Sequence, residues 1–492
     1  MSRFRVWLVS LLALLFVVPA ARALPTVASD NVGDLLLFPF FYADSGIETK
    51  IRVVNTSCPS WGVIAKVVIR SSACSEEMRD FLIVLSPCDV WTGTIKVNEK
   101  GDVVLVSTDD SVIVPGTATT ASEDNPFVVS LKKPKNPDDT NNFGYIEVIA
   151  LAKVNWNWRN PATQQTFRSI ANANGVTDLH VFAWKLYNAF NSRVYSGLAY
   201  CGAGTGNVNN DSFTGLILPI SYTGGYDVNC DGTDDVAATP RLNSLYGTAE
   251  VTIPGGYAAY TATAVRDFVL LGLTAAQLTD TNNMRFCAYN LSARVYNLWL
   301  NGGYKVAAAV DTPLNYAGCI DDLDNALMKQ FVYTPYYDPD DDDSCGSFVM
   351  LFFPTMQSRY AYNNAVDKYT CMPNPFSSLI WQSIWTSVLK GTIGIGITSY
   401  DNSEHPVACE LSPCALKPKE LYFIDEIEDI FDPYAFSEGW MTLSMPTSRF
   451  SIGESGYLVY YGLPVVPFVG MYNDQGVTFF EAGHMDGEMS VQ

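Results

Sequence analysis

The stretch that decides the fold is VIAKVVIR, residues 63–70. Its odd-numbered residues are all apolar, whereas Lys66 and Arg70 share the opposite face with two further apolar residues. Because successive side chains of a strand point to opposite faces, this partial alternation predicts a β-strand. It also predicts a sheet with one face against the core and the other face partly wet.

Similar runs rich in Val and Ile surround this stretch. They occupy residues 51–55, 81–85, 90–96 and 102–106, and turn-forming clusters separate them. Short strands that recur about every 8–12 residues are typical of a sandwich or barrel. Further strands are predicted at 143–154, 214–219, 347–354, 392–400, 440–445 and 457–463, with a hairpin at 245–264 and short helices at 161–173, 265–278 and 420–431.

The predicted fold class is therefore all-β, with Ig-like β-sandwich domains, a few short helices and long loops. We divide the chain into a signal peptide (1–23), an N-terminal β-sandwich (24–155) and two further regions. The middle region (156–330) is β-rich, with short helices and an Asp/Gly-rich loop. The C-terminal β region (331–492) is a candidate for pairing with the earlier sheets.

The first residues have the pattern of a cleavable export signal. Arg3 and Arg5 precede an apolar run, and Ala21-Arg22-Ala23 is an A-x-A cleavage site, so cleavage is expected after Ala23. The apolar run is shorter than the ~20 residues that span a membrane, and no later run is long enough. We expect a periplasmic, cell-surface or extracellular protein without a transmembrane segment.

The net charge excludes one class of partner. Cleavage removes three arginines and changes the formal charge from −21 to −24. Nucleic acid is a poor partner for such a chain, because phosphate binding needs clustered Lys and Arg. Charged residues are only 16% of the chain, and aromatic residues reach 13%, as is common in exported all-β proteins.

The 11 cysteines indicate an oxidising compartment, where several should form disulfides. Neighbours in sequence favour the pairs Cys58–Cys74, Cys201–Cys230 and Cys409–Cys414, although connectivity cannot be deduced from one sequence. The odd count leaves one thiol, either buried or bridging to another chain. No C-x-x-C motif is present, which disfavours a thioredoxin-like site.

The stretches LLLFPFF (residues 35–41), DVWTG (89–93), GYIEVIAL (144–151) and GLPV (462–465) occur in this order along the chain. Together they resemble an uncharacterised family of exported bacterial β-rich surface or periplasmic proteins, and DVWTG and GLPV are the most specific of them. The resemblance implies a β-rich, sandwich-type protein outside the cytoplasm. It supplies no catalytic residues.

Residues 227–235, DVNCDGTDD, form the sharpest local motif. The D-x-N-x-D-G pattern resembles EF-hand and dockerin-like calcium loops, in which alternate side chains supply oxygen ligands. The predicted ligands are Asp227, Asn229, Asp231, Thr233 and Asp235. Position twelve is Ala238, where a bidentate Glu would be expected, so an ordinary Asx-rich turn stays open as the alternative.

Catalytic motifs are not found. His180, His405 and His484 are far apart in sequence and form no H-E-x-x-H zinc motif, and G-x-S-x-G is absent. The acidic run at 338–343 is either a solvated loop or a second cation site. Two groups of aromatic residues are either core caps or platforms for sugars and partner proteins: Trp156 and Trp158, and Tyr333, Tyr336 and Tyr337.

We therefore expect an exported structural or adhesive protein that binds other chains, including copies of itself. Residues 24–33 are extended in this interpretation and could add to a neighbour's sheet edge. The alternatives are a secreted polysaccharide hydrolase with an Asp/Glu pair and a non-catalytic carbohydrate- or solute-binding module. The hydrolase requires two close carboxylates in a cleft, and the binding module requires an exposed Tyr/Trp platform.

Overall fold

The computed structural model describes the N-terminal third almost completely and the rest in segments. The described residues are 26–59, 61–72, 77–112, 114–115, 120–134, 140–155, 217–219, 243–253, 256–266, 323, 325–337, 346–352, 354, 362–363, 368–369, 393–394, 396–401, 406–408, 415–416, 421–423, 438–445, 447–452, 456–473, 476–481, 483–486 and 488–491.

Thirty strands occur in the described residues. The first thirteen are β1 (Thr26–Val27), β2 (Leu35–Tyr42), β3 (Glu48–Asn55), β4 (Trp61–Ser71), β5 (Glu77–Leu85), β6 (Val90–Val97), β7 (Val103–Ser107), β8 (Phe127–Ser130), β9 (Phe143–Asn155), β10 (Ile217–Pro219), β11 (Leu245–Ile253), β12 (Gly256–Thr261) and β13 (Thr263–Arg266). The next nine are β14 (Met328–Tyr337), β15 (Gly346–Phe352), β16 (Tyr362–Asn363), β17 (Lys368–Tyr369), β18 (Ile393–Gly394), β19 (Gly396–Asp401), β20 (Pro406–Ala408), β21 (Ala415–Leu416) and β22 (Leu421–Phe423). The last eight are β23 (Glu438–Ser444), β24 (Thr447–Ile452), β25 (Gly456–Tyr461), β26 (Leu463–Pro464), β27 (Val466–Asn473), β28 (Gly476–Glu481), β29 (Gly483–Asp486) and β30 (Glu488–Val491).

Two large sheets contain most of these strands. Sheet A has the order β1-β13-β2-β9-β4-β5, with β10 also paired to β9. Sheet B has ten strands in the order β22-β15-β27-β28-β12-β11-β3-β6-β7-β8. A third sheet has the order β20-β19-β23-β14-β26, with β29 also paired to β14. The remaining strands form three small sheets: β16-β17, β18-β21 and β24-β25-β30.

The all-β prediction is confirmed, whereas the Ig-like arrangement stays a prediction. Only Leu323 and residues 325–327 are helical among the described residues, and none of the helices there is long and apolar enough to cross a membrane. Nearly all strand pairs are antiparallel, and the predicted hairpin at 245–264 is present as β11 paired with β12. The pairing of β12 with β28 is parallel and joins residues far apart in the chain.

Sheets A and B pack through apolar side chains in a sandwich-like arrangement. Trp91 of β6 is fully buried, and its ring centroid lies 5.6 Å from that of Phe81 on β5. Its indole ring covers Gly93, where a Cβ atom would come within 2.6 Å of the ring. The Gly in the WTG motif therefore makes room for the Trp ring.

The second face of sheet A is buried as well, which corrects the expectation of a partly wet face. Lys66 is 3% exposed and Arg70 is fully buried. Tyr145, the β9 partner of Arg70, has its ring centroid 4.8 Å from that of Phe352 on β15. Strands buried on both faces are nearly continuous runs of apolar residues, as LLLFPFF in β2 is.

Two predicted helices begin in residues that the structure places in strands. Val265 and Arg266 belong to β13, where they pair with β1. Residues 421–423 form β22, which pairs with β15 from Phe352 to Met350. Tertiary pairing outweighs helical periodicity for such short apolar segments. The helix predicted at 161–173 lies outside the described residues.

The N-terminal segment pairs with a sheet edge of its own chain. Thr26 and Val27 pair with Arg266 and Val265. Ala28 is buried, and its N–H donates to the carbonyl oxygen of Ala264. Addition of this segment to a neighbour's sheet stays a prediction, and it would require β1 to leave β13.

A disulfide joins two turns at one end of the sandwich. Cys58 follows β3 and Cys88 precedes β6, so each lies in a turn that connects sheet A with sheet B. Asn55 holds the same two turns, because its side-chain amide donates to the carbonyl oxygens of Trp61 and Ser86, each at 2.8 Å. The predicted pair Cys58–Cys74 is wrong, since Cys58 bonds to Cys88.

Trypsin provides a direct test of this pairing, because it cleaves after Arg52, Lys66, Arg70, Arg79 and Lys96 and so separates the three cysteines. We expect mass spectrometry of the non-reduced digest to find peptide 53–66 linked to peptide 80–96. A link between 53–66 and 71–79 would contradict the structure.

The Cys58→Ser and Cys88→Ser variants should each lose about 3–4 kcal/mol of stability for this ~30-residue loop, and the double variant should lose no more.

Candidate functional site

A buried ion pair lies within sheet A. The Nε atom of Arg70 on β4 donates to the Oε2 atom of Glu147 on β9 over 2.8 Å, and both side chains are fully buried. Glu147 lies opposite Val68, and Arg70 is two residues further along β4, so the two side chains share one face as diagonal neighbours. Burial of one of these charges without the other would be strongly unfavourable, so the two residues act as a unit.

A second ion pair extends this cluster towards the edge strand β5. The Nζ atom of Lys66 lies 2.8 Å from the Oδ2 atom of Asp80, and the Lys66 side chain is almost completely buried. Glu77 also belongs to β5, and its Oε2 atom is buried without a hydrogen-bond partner among the described residues. We call these five residues, Lys66, Arg70, Glu77, Asp80 and Glu147, the core charge cluster.

Burial sets the electrostatics of the core charge cluster. It raises the pKa of Glu147, although Arg70 opposes the shift by its charge and its hydrogen bond. Burial also raises the pKa of Glu77, and the charge of Asp80 raises it further. Burial alone would lower the pKa of Arg70, but the charge of Glu147 raises it above its ordinary value, so the guanidinium stays charged.

Three further acids, Asp89, Asp109 and Asp110, lie near one another where β6 begins and β7 ends, and burial raises the pKa of the last two. Asp109 accepts hydrogen bonds from the backbone N–H groups of Thr92 and Ser111. Both carboxylate oxygens of Asp89 also accept hydrogen bonds, from Ser86 and Val90. These two carboxylates therefore stabilise turns, and this weakens their case as a hydrolytic pair.

The outward side of four central strands of sheet B is a regular surface that we call the open face. Strands β6, β3, β11 and β12 are paired without a register shift, and their inward residues, such as Ile51 and Trp91, are buried. The open face consists of Val90, Thr92, Thr94, Lys96, Glu48, Lys50, Arg52, Val54, Tyr246, Thr248, Glu250, Thr252, Tyr257, Ala259 and Thr261.

The pairing of the strands determines which side chains are neighbours on the open face. Lys50 lies opposite Glu250 on β11 and opposite Thr94 on β6. Its Nζ atom is 3.3 Å from the Oε1 atom of Glu48. Tyr257 is 52% exposed and Val90 is 38% exposed. The surface therefore combines exposed apolar groups, hydroxyls and charges of both signs.

Most of the predicted binding residues lie outside the described part of the chain. These are the calcium ligands Asp227, Asn229, Asp231, Thr233 and Asp235, the acidic residues 338–343, Trp156, Trp158, His180 and His405. His484 lies in β29 opposite Val332. Tyr333 is half-buried on β14, and its ring centroid lies 6.3 Å from that of Trp440, so the two rings pack together. Tyr336 and Tyr337 lie further along the same strand. No group of three or more metal-binding side chains occurs among the described residues.

Comparisons with protein-family models, with curated proteins and with solved structures find no match for this chain.

Neither the core charge cluster nor the open face was predicted from the sequence. The available signal for the first was a lone charge within an apolar run, Glu147 in GYIEVIAL and Arg70 in VIAKVVIR. The signal for the second was the alternation in TKIRVV (residues 49–54), where Lys50 and Arg52 alternate with apolar residues. Which charges meet depends on strand pairing, which one sequence does not specify.

Loss of one partner of the buried ion pair should destabilise the protein. We expect Arg70→Met to lower the free energy of unfolding by about 3–5 kcal/mol, because it leaves Glu147 buried and unpaired. The double variant Arg70→Met/Glu147→Met should lose much less stability than the sum of the losses of Arg70→Met and Glu147→Met. Urea unfolding measures the free energy of unfolding of all three variants. The matched control, Lys50→Met, removes an exposed pair and should cost about 1 kcal/mol or less. Additive single effects would contradict the ion pair.

Glu77 should make stability depend on pH. Its pKa is raised in the folded protein, so its contribution is fully present below the unfolded pKa and is lost as pH rises through the folded pKa. Glu77→Gln imitates the protonated acid and should match the native protein at acidic pH but exceed its stability at pH 8. Urea unfolding at several pH values measures the difference. Glu99→Gln, in an exposed turn, is the control, and an equal response of both variants would refute the assignment.

Proposed function

We propose that this protein is an exported structural or adhesive protein of the cell surface, periplasm or extracellular space that binds other chains, including copies of itself. One observation carries the proposal. The ten-stranded sheet B presents a broad, regular and partly exposed face across its four central strands. Sheet surfaces of this kind bind partners through side chains without any catalytic chemistry.

The stiffness of the framework supports the same proposal. Ion pairs neutralise the charges of Lys66, Arg70 and Glu147 inside sheet A. The Cys58–Cys88 disulfide ties two turns that cross between the sheets. Such a bond persists in oxidising compartments, which agrees with export from the cytoplasm.

Calcium binding at residues 227–235 belongs to the proposal as a stiffening element. Calcium takes six to eight oxygen ligands, and it would relieve the repulsion among the neighbouring carboxylates. The acidic character of the chain, with a formal charge of −21, favours divalent cations in general.

The carbohydrate-binding alternative rests on one specific observation, the exposed ring of Tyr257 on the open face. An exposed aromatic ring can stack on a sugar ring. Structural assembly is the better supported of the two because the open face also contains charges of both signs at cross-strand positions, which favour contact with a protein surface.

The proposal is tested with oxidised, mature protein by light scattering and negative-stain microscopy, first with calcium and then with a chelator. We expect particles larger than a monomer whose abundance rises with protein concentration, and whose order increases with calcium. A monodisperse monomer that is indifferent to calcium would overturn the proposal. A glycan screen on the same sample would then test the carbohydrate-binding alternative.

A further inference from the structure

The charges of the open face differ from those of the whole chain. The open face contains three cations, Lys50, Arg52 and Lys96, and two anions, Glu48 and Glu250. The full chain has 51 acidic and 30 basic side chains. Two copies of so acidic a chain repel each other over most of their surface. The repulsion is weakest where the local charge is balanced, as it is on this face.

The arrangement of the charges is also self-complementary. Lys50 on β3 and Glu250 on β11 are direct cross-strand partners on adjacent strands. A two-fold axis parallel to the strands, between β3 and β11, exchanges these two positions when two open faces meet. Lys50 of one copy then lies over Glu250 of the second copy, and the reverse pair forms by symmetry. A two-fold contact of this kind uses the same patch on both molecules.

We propose that the open face is a two-fold interface between copies of this chain, in which Lys50 and Glu250 form reciprocal ion pairs. This inference rests on the proposed function and names its partner as a second copy. Sheets that pack face to face align their strands within about 30°, which is compatible with this axis. The same axis places Tyr257, on the outer strand β12, over β6 of the second copy, near Lys96, where a cation–π contact can form.

The size of the open face sets the strength of the contact. Four strands spaced about 4.8 Å apart, each with about seven residues at 3.3 Å, form a patch of roughly 400–450 Å² in plan. Stable interfaces bury about 800 Å² on each partner. The contact is therefore weak and reversible, and it requires a high local concentration of the protein.

Charge reversal tests the interface through the symmetry of the pair. Lys50→Glu and Glu250→Lys each place two like-charged pairs across the interface, and the double variant restores two opposite pairs with the signs exchanged. We expect each single variant to weaken self-association by about tenfold or more. The double variant should recover most of the lost affinity. Sedimentation velocity over a concentration series measures the association constants.

The controls apply the same charge changes away from the open face. Lys133→Glu and Glu99→Lys alter exposed residues, and they should associate like the native protein. If the native protein assembles but neither single reversal weakens it, or the double variant does not recover, the two-fold interface is wrong while the proposed function stands. If the native protein is monomeric at every concentration, the proposed self-assembly and the interface both fail.

Discussion

Burial of both faces of sheet A is the constraint on which the rest of the structure depends. Strands β4 and β9 each carry charged side chains that are buried away from water, and an unpaired charge at such a position is strongly unfavourable. Arg70 and Glu147, 77 residues apart in the chain, neutralise each other only when the two strands pair in the observed register. A shift of one residue would send every side chain of β4 to the other face and separate the pair. The ion pair thus favours the observed register of β4 against β9.

The disulfide end of the sandwich depends on this framework in turn. Cys58 and Cys88 come together because β3 leads into β4 and β5 leads into β6 at the same end of the two sheets. The Asn55 side chain donates hydrogen bonds to both turns and holds them without any covalent bond. The pairing of the sheets and the Asn55 hydrogen bonds thus hold the same two turns that the disulfide joins. Proximity in sequence predicted Cys74 as the partner instead. This prediction failed because the two connections that cross between the sheets bring the turns of Cys58 and Cys88 together, although these residues are 30 positions apart in the chain.

Local patterns predicted the strands, and long-range pairing decided most of what they missed. The Val- and Ile-rich runs of β3 to β7 and the hairpin of β11 and β12 follow from composition and turn residues, so these strands were predictable. Strand β2 was not assigned, because its residues are apolar on both faces and show no alternation. The helix predicted at 420–431 rested on the spacing of Ile424, Ile427 and Phe431, but residues 421–423 form β22 beside β15, a strand far earlier in the chain. The core charge cluster was hidden for the same reason, since Arg70 and Glu147 become neighbours only in the folded sheet.

Charges inside sheet A and charges on the open face of sheet B obey different energetics. Arg70 cannot leave Glu147, because no solvent replaces the carboxylate in the core. Lys50, in contrast, is 43% exposed in its side chain and lies beside both Glu48 and Glu250. Exposed ion pairs contribute little free energy, so a carboxylate from another molecule can replace one from the same chain at small cost. The interface that we propose on the open face would use such exchangeable pairs, whereas the paired charges of the core are fixed within the chain.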